Sequence, residues 1–139
     1  MKRLISYILI FAVLTNCSHP KPDTKDIIGT WVSFDGAKII LKENNEAIVS
    51  KFPLDFENES QGVINGKGRW ALEKRSGTAS FWGIDILITD IDSKSTKKTT
   101  RDFLLISRSG LGGIGSEITS LFIWKGDPDV DDRYEFKKQ

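Results

Sequence analysis

Gly68-Arg69-Trp70-Ala71-Leu72-Glu73-Lys74, followed by the turn pair Ser76-Gly77 and then the run from Ala79 to Ile91, decides the fold class of this 139-residue chain. In the first run Trp70 and Leu72 fall on one face of an extended segment, and Arg69, Ala71 and Glu73 on the other. In the second, Trp82, Ile84, Ile86 and Ile88 share a face while Asp85 lies opposite. Side chains alternate sides along a strand, so a period of two on both arms of a turn marks a hairpin with one apolar face.

The same pattern extends in both directions. Upstream, Ile27–Phe34, Ala37–Lys42 and Glu46–Phe52 read as strands, the first two joined by a two-residue turn at Asp35-Gly36 and the last two by a turn at Asn44-Asn45. A longer polar connection containing Pro53 then runs to a turn at Asn65-Gly66. Downstream, a Ser/Lys/Thr-rich loop from Asp92 to Thr100 precedes strands at Asp102–Arg108, Thr119–Lys125 and Arg133–Lys137. The last puts Tyr134 and Phe136 on one face and Arg133, Glu135 and Lys137 on the other. No stretch holds a helical period for more than a turn or two. Eight sequential strands would leave exposed edges in an open sheet. The expectation is therefore an all-β, antiparallel up-and-down barrel of about eight strands, with a two-sheet β-sandwich as the alternative.

The front of the chain has a different character. Met1-Lys2-Arg3 precedes an apolar run from Leu4 to Leu14, the layout of a secretory signal. The run is shorter than the roughly 20 residues a spanning helix needs. Leu14-Thr15-Asn16-Cys17 resembles the lipobox of bacterial lipoproteins, with Asn16 standing where Gly, Ala or Ser is usual. That resemblance implies cleavage before Cys17 and acylation of its thiol and amino group. Several acyl chains, at about 0.8 kcal/mol per buried methylene, anchor a protein stably to a membrane. Ser18 occupies the position where an Asp implies retention in the inner membrane, so the resemblance favours the periplasmic side of the outer membrane.

The expected organisation is a signal peptide at 1–16, a lipidated cysteine and flexible tether at 17–26, and a barrel domain at 27–139. The signal removes two basic residues, leaving 18 basic against 19 acidic, a formal charge of −1. Near-neutrality and an exported location both argue against nucleic acid as a partner.

Gly29-Thr30-Trp31, opening the first strand after a loose arm, is similar to the Gly-x-Trp opening of lipocalins and lipocalin-like bacterial lipoproteins. The resemblance implies a barrel in which Trp31 plugs one end and a basic residue of a late strand, Arg133, packs across it. It also implies an apolar or amphipathic small ligand. Trp70, Trp82, Ile84, Ile86, Phe103 and Phe122 are the candidates to line its pocket. Small barrels of about eight strands are often filled by their own side chains instead, and that is the favoured expectation. The other expected role is protein interaction in the envelope, as an inhibitor, immunity or assembly factor.

Catalytic equipment is sparse, and no enzyme activity or cofactor is expected. His19, the single histidine, lies two residues from Cys17, and Cys17 is consumed by lipidation. A Ser–His–Asp arrangement thus lacks its imidazole, and a zinc site lacks soft ligands. Gly110-Leu111-Gly112-Gly113-Ile114-Gly115 spells a dinucleotide fingerprint, but a strand-forming sequence follows it where a helix is required. Gly62 to Gly68 falls one residue short of a P-loop. Asp127, Asp129 and Asp131 occupy the first, third and fifth positions of a calcium-type loop, but Asp132 replaces its glycine and Lys138 its terminal glutamate. They make a weak calcium candidate beside the default of an acidic turn. Lys94, Lys97, Lys98 and Arg101 form a basic loop that is either a solvated turn or a weak attractor of anionic lipid.

Overall fold

The computed structural model of the chain describes residues 20–76, 81–92, 94–110 and 117–139. A short helix, α1 (Thr24–Ile27), leads into eight strands: β1 (Gly29–Ser33), β2 (Lys38–Leu41), β3 (Glu46–Pro53), β4 (Val63–Arg75), β5 (Phe81–Ile91), β6 (Thr100–Arg108), β7 (Ile118–Trp124) and β8 (Arg133–Lys138). Each strand pairs antiparallel with the next, and β8 closes on β1 through Trp31↔Lys138, Val32↔Lys137 and Ser33↔Phe136. The result is a closed up-and-down barrel with no open edge, as the alternating pattern predicts; the sandwich alternative is set aside. The end at which β1 begins is called proximal here, and the opposite end distal.

The inward faces merge into a single core. Trp31, Ile39, Leu41, Val49, Phe52, Ile84, Ile86, Ile88, Leu104, Leu121, Tyr134 and Phe136 are all essentially inaccessible to solvent. Complete burial of an aliphatic or aromatic side chain is worth about 1.5–3 kcal/mol, so this interior dominates the stability of the domain.

The first turn differs from the two-residue expectation. At Asp35-Gly36 the loop spans three residues, Phe34 to Gly36: the Ser33 amide donates to the Ala37 carbonyl, and only Gly36 has positive φ (86°). The Asn44-Asn45 turn repeats this form, with Lys42 N donating to Glu46 O and Asn45 at φ 62°. One left-handed residue at the third loop position suffices, because the extra residue absorbs the twist mismatch that a two-residue loop must take at both central positions.

Asn65-Gly66 is not a turn, since it lies inside β4. Two bulges account for both residues. β3 shifts register between Val49 and Phe52 around Lys51, which has φ 50° and whose amide donates to Asn65 Oδ1 at 2.9 Å. The bulge changes the phase of β3, so that Val49 and Phe52 both point inward. A second shift falls at Lys67/Gly68 opposite β5. A Cβ on Gly68 would sit 1.9 Å from the Leu87 carbonyl oxygen, and one on Gly66 2.7 Å from that of Asp90. These glycines allow close approach of two backbones and do not mark a reversal.

The segment expected to be a free tether is fixed from Pro20 onward. Asp23 caps α1, accepting from Lys25 N at 3.0 Å, and Ile27 ends this helix, where the pattern had suggested the start of a strand. Pro22 is buried, and the Pro20 carbonyl accepts from Arg108 Nη2 at 2.9 Å. Polarity hid this order: a four-residue helix held by one cap has no apolar period to read. Among the described residues no helix is long and apolar enough to cross a membrane. The expected signal peptide, Cys17 and His19 lie outside the described residues.

Candidate functional site

The proximal end is closed around Trp31. Its indole Nε1 donates to the Ile27 carbonyl at 2.8 Å, tying the ring to the last turn of α1. Lys138 passes over the other side, with Nζ 5.5 Å from the ring centroid and 2.6 Å from the Asp26 carbonyl oxygen. Gly29, the first residue of the Gly-x-Trp motif, has φ 137°, and a Cβ there would sit 3.2 Å from Lys138 Cε. Its lack of a side chain gives the lysine stem its path.

The basic residue on Trp31 is therefore Lys138 and not Arg133. The reason is register. Trp31 pairs with Lys138, whereas Arg133 pairs with Trp124 five residues earlier in β8, about 17 Å away along the strand. Parity agrees, since Arg133 shares its face with Glu135 and Lys137, and the inward set is Tyr134, Phe136 and Lys138. Arg133 instead lies over the ring of Phe122 at 5.1 Å.

The distal end is closed by other means. Phe56, from the β3–β4 connection, packs edge-on against Phe52 and Tyr134, each with ring centroids 5.2 Å away. The Tyr134 hydroxyl donates to the Asp35 carboxylate, at 2.6 Å from Oδ1, and Ser33 Oγ also donates to Oδ1. Burial pushes the Asp35 carboxyl up. Hydrogen bonds from Ser33, Tyr134 and the Ala37 amide together outweigh that effect and hold it below the ordinary aspartate value. The sequence places Asp35 in a turn and Tyr134 on an apolar face, but it announces neither their pairing nor the part of Ser33 in it. The available signal was that an inward Tyr must find a partner for its hydroxyl. Every buried side-chain nitrogen and oxygen among the described residues has a partner.

The six candidate pocket residues separate. Trp70, Ile84 and Ile86 are in the core, and Trp70 Nε1 donates to the Lys42 carbonyl at 2.9 Å, holding the β2–β3 turn. Trp82 continues that inward series at the proximal rim, where it pairs with Lys74. Phe103 and Phe122 belong to the outer wall. Their inward neighbours are Leu104 and Leu121, and Phe103 stacks under Arg75 with the guanidinium carbon 3.8 Å from the ring centroid. The sequence could not assign these two faces, because β6 and β7 are apolar on both sides.

One inward polar group was also missed. Register places Asp102 opposite Ile86 on the inner wall, where its Oδ2 accepts from Thr100 Oγ1 at 3.1 Å. Burial raises its pKa, opposed in part by the Thr100 hydrogen bond and the charge of Lys97. Arg101, read as part of the basic loop, belongs to β6. It binds Asp85 on the outer wall through Nε, at 3.0 Å to Oδ1 and 3.1 Å to Oδ2, and through Nη2 at 2.7 Å to Oδ2.

The calcium candidate forms a capped 3₁₀ turn over Pro128–Val130. Asp127 accepts from Asp129 N at 3.0 Å, and Asp131 sits at φ 54°. Among the described residues no three Asp, Glu, His or Cys side chains converge on a metal position. Residues 111–116 of the glycine-rich loop lie outside the described residues, and β7, a strand, follows where a nucleotide site needs a helix. A groove of ≈ 460 Å³ opens at the distal rim between Leu54, Val63, Asn65, Asp92 and Thr96.

With this geometry in hand, comparison with known protein families, with curated proteins and with solved structures finds no match in any of the three.

Proposed function

We propose that the protein is a non-catalytic binding module of the bacterial envelope, anchored through acylated Cys17, whose contacts with a protein partner are made at the distal rim. The observation that carries this reading is the distribution of exposed apolar side chains. Phe34 (85 % exposed), Val130 (71 %) and Val63 (57 %) all project from distal elements: the β1–β2 turn, the β7–β8 connection and the first residue of β4. Three of the four large apolar side chains exposed among the described residues thus lie at one end, with Phe81 (37 %) at the other, and such a gathering is typical of an interaction surface. The contiguous buried core and the aromatic rings packed at both ends support the same reading over an internal pocket.

A second reading is an apolar or amphipathic small ligand held within the barrel against Trp70, Ile84 and Ile86. Asp102 favours it, as an inward carboxyl able to meet a polar head. Native mass spectrometry of the protein purified from membranes separates the two. The expected result is a mass with no bound small molecule, together with an envelope protein whose capture is lost in Phe34→Ser/Val130→Ser. A stoichiometric apolar ligand would favour the second reading. Cys17→Ala should be released from membranes by a high-salt wash that leaves the wild type bound, and unchanged association after that wash refutes the anchor.

A further inference from the structure

We propose that the proximal rim around Trp82 docks on anionic phospholipid headgroups, laying the barrel against the same leaflet that holds its anchor. The inference rests on the anchored reading of Cys17 and adds an orientation to it. Its first element is length. Three peptide steps separate Cys17 from Pro20, a reach of at most about 11 Å. Pro20 is already fastened to the barrel through Arg108, at the proximal end of β6. An acylated Cys17 therefore keeps this rim within roughly one headgroup layer of the bilayer.

The second element is what the rim presents there. Lys21 and Lys74 both lie over the Trp82 ring, with Nζ 5.6 and 6.0 Å from its centroid. Arg75 stacks on Phe103, whose ring is 6.2 Å from that of Phe81. Phe81 itself is 37 % exposed, although it carries a large apolar ring. Lys21, Lys74 and Arg75 make no ion pair among the described residues. Asp85 on the outer wall is bound by Arg101, and the carboxylates of Asp26 and Glu117 line a separate groove of this end beside Ile118 and Lys138. Long basic side chains lying along aromatic rings suit the membrane interface, where rings sit at headgroup depth and cations meet phosphates. Charge complementarity and chain length thus point to one occupant, an anionic bilayer surface.

The test uses the protein purified from membranes and placed in vesicles whose lipids carry bromine near the top of the acyl chains. Tryptophan quenching is expected in phosphatidylglycerol–phosphatidylcholine vesicles and much less in phosphatidylcholine alone. The quenched component should disappear in Trp82→Phe. Lys74→Glu/Arg75→Glu, both on exposed side chains, should leave the circular dichroism unchanged and weaken association of unlipidated Cys17→Ala with anionic vesicles about tenfold or more. Equal quenching in both lipids, quenching that survives Trp82→Phe, or association indifferent to the charge reversal overturns the proposal. The mass of the Cys17 peptide separates the two failures. An unmodified Cys17 defeats the anchor alone, whereas an acylated Cys17 with unquenched Trp82 defeats the docking face alone.

Discussion

At the proximal end, the barrel is shut by an indole held to a backbone carbonyl, with Ile27 and Trp31 both fully buried. At the distal end it is shut by a phenol held to a carboxylate at the surface, where Tyr134 meets Asp35 beneath the exposed Phe34. The first closure is made by an uncharged, buried indole–carbonyl bond, with the Lys138 ammonium lying over its outer side. The second is charged and partly wet. The contrast shows that one barrel can be sealed by two chemistries with different sensitivities. The proximal seal answers to packing, and the distal seal to protonation as well.

The largest effect is expected from Trp31→Ala. Removing the largest fully buried side chain leaves a cavity and frees the Ile27 carbonyl, for a loss of about 3–5 kcal/mol. Urea unfolding followed by far-ultraviolet circular dichroism should show that loss at neutral pH and equally at mildly acid pH. A loss below about 1 kcal/mol would mean that the seal contributes little and that α1 closes the end unaided.

These two seals were unequally legible in the sequence. Trp31 was readable because the Gly29-Thr30-Trp31 opening is local, and the strand count was readable because period-two patterning survives without tertiary information. The distal seal joins Asp35 and Tyr134 across 99 positions, through the β8–β1 closure, and no local pattern announces that register. Bulges misled in a related way. Asn65-Gly66 carries strong turn chemistry, but what the fold uses is the Asn65 side-chain oxygen accepting from the Lys51 amide and the absence of a Cβ at Gly66 and Gly68. The same limit applied to Phe103 and Phe122, since strands apolar on both faces do not say which side is in.

A smaller effect, but one with a distinct pH signature, is expected at the distal seal. Tyr134→Phe keeps the ring packing on Phe56 and Phe136 and removes the hydroxyl from Asp35 and Ser33. Bonds to charged groups are worth about 1.5–3 kcal/mol, and solvent access at Asp35 puts this one toward the low end. The sign follows from linkage. The folded state holds the Asp35 carboxyl below its ordinary value, so the stabilisation is complete above that value and is lost as pH falls through the folded pKa. Wild type should therefore lose stability more steeply than Tyr134→Phe on acidification in this range, and Trp31→Ala should run parallel to wild type. Parallel curves for wild type and Tyr134→Phe would remove Asp35 from the account.

The smallest effects test which cation belongs to which ring. Lys138→Ala loses a hydrogen bond to Asp26, a cation over Trp31 and the stem lying across Gly29. Partly exposed contacts of this kind sum to about 1–2 kcal/mol. Arg133→Ala loses only an exposed cation over Phe122, about 0.5 kcal/mol. Near-ultraviolet circular dichroism adds a readout that does not depend on stability. The indole bands of Trp31 should change when Lys138 is removed and stay fixed when Arg133 is. Register makes this assignment firm, because β8 turns only alternate residues inward and sets Lys138, not Arg133, beside Trp31. If Arg133→Ala perturbed the indole bands more than Lys138→Ala, the β8–β1 pairing that closes the barrel would have to be redrawn.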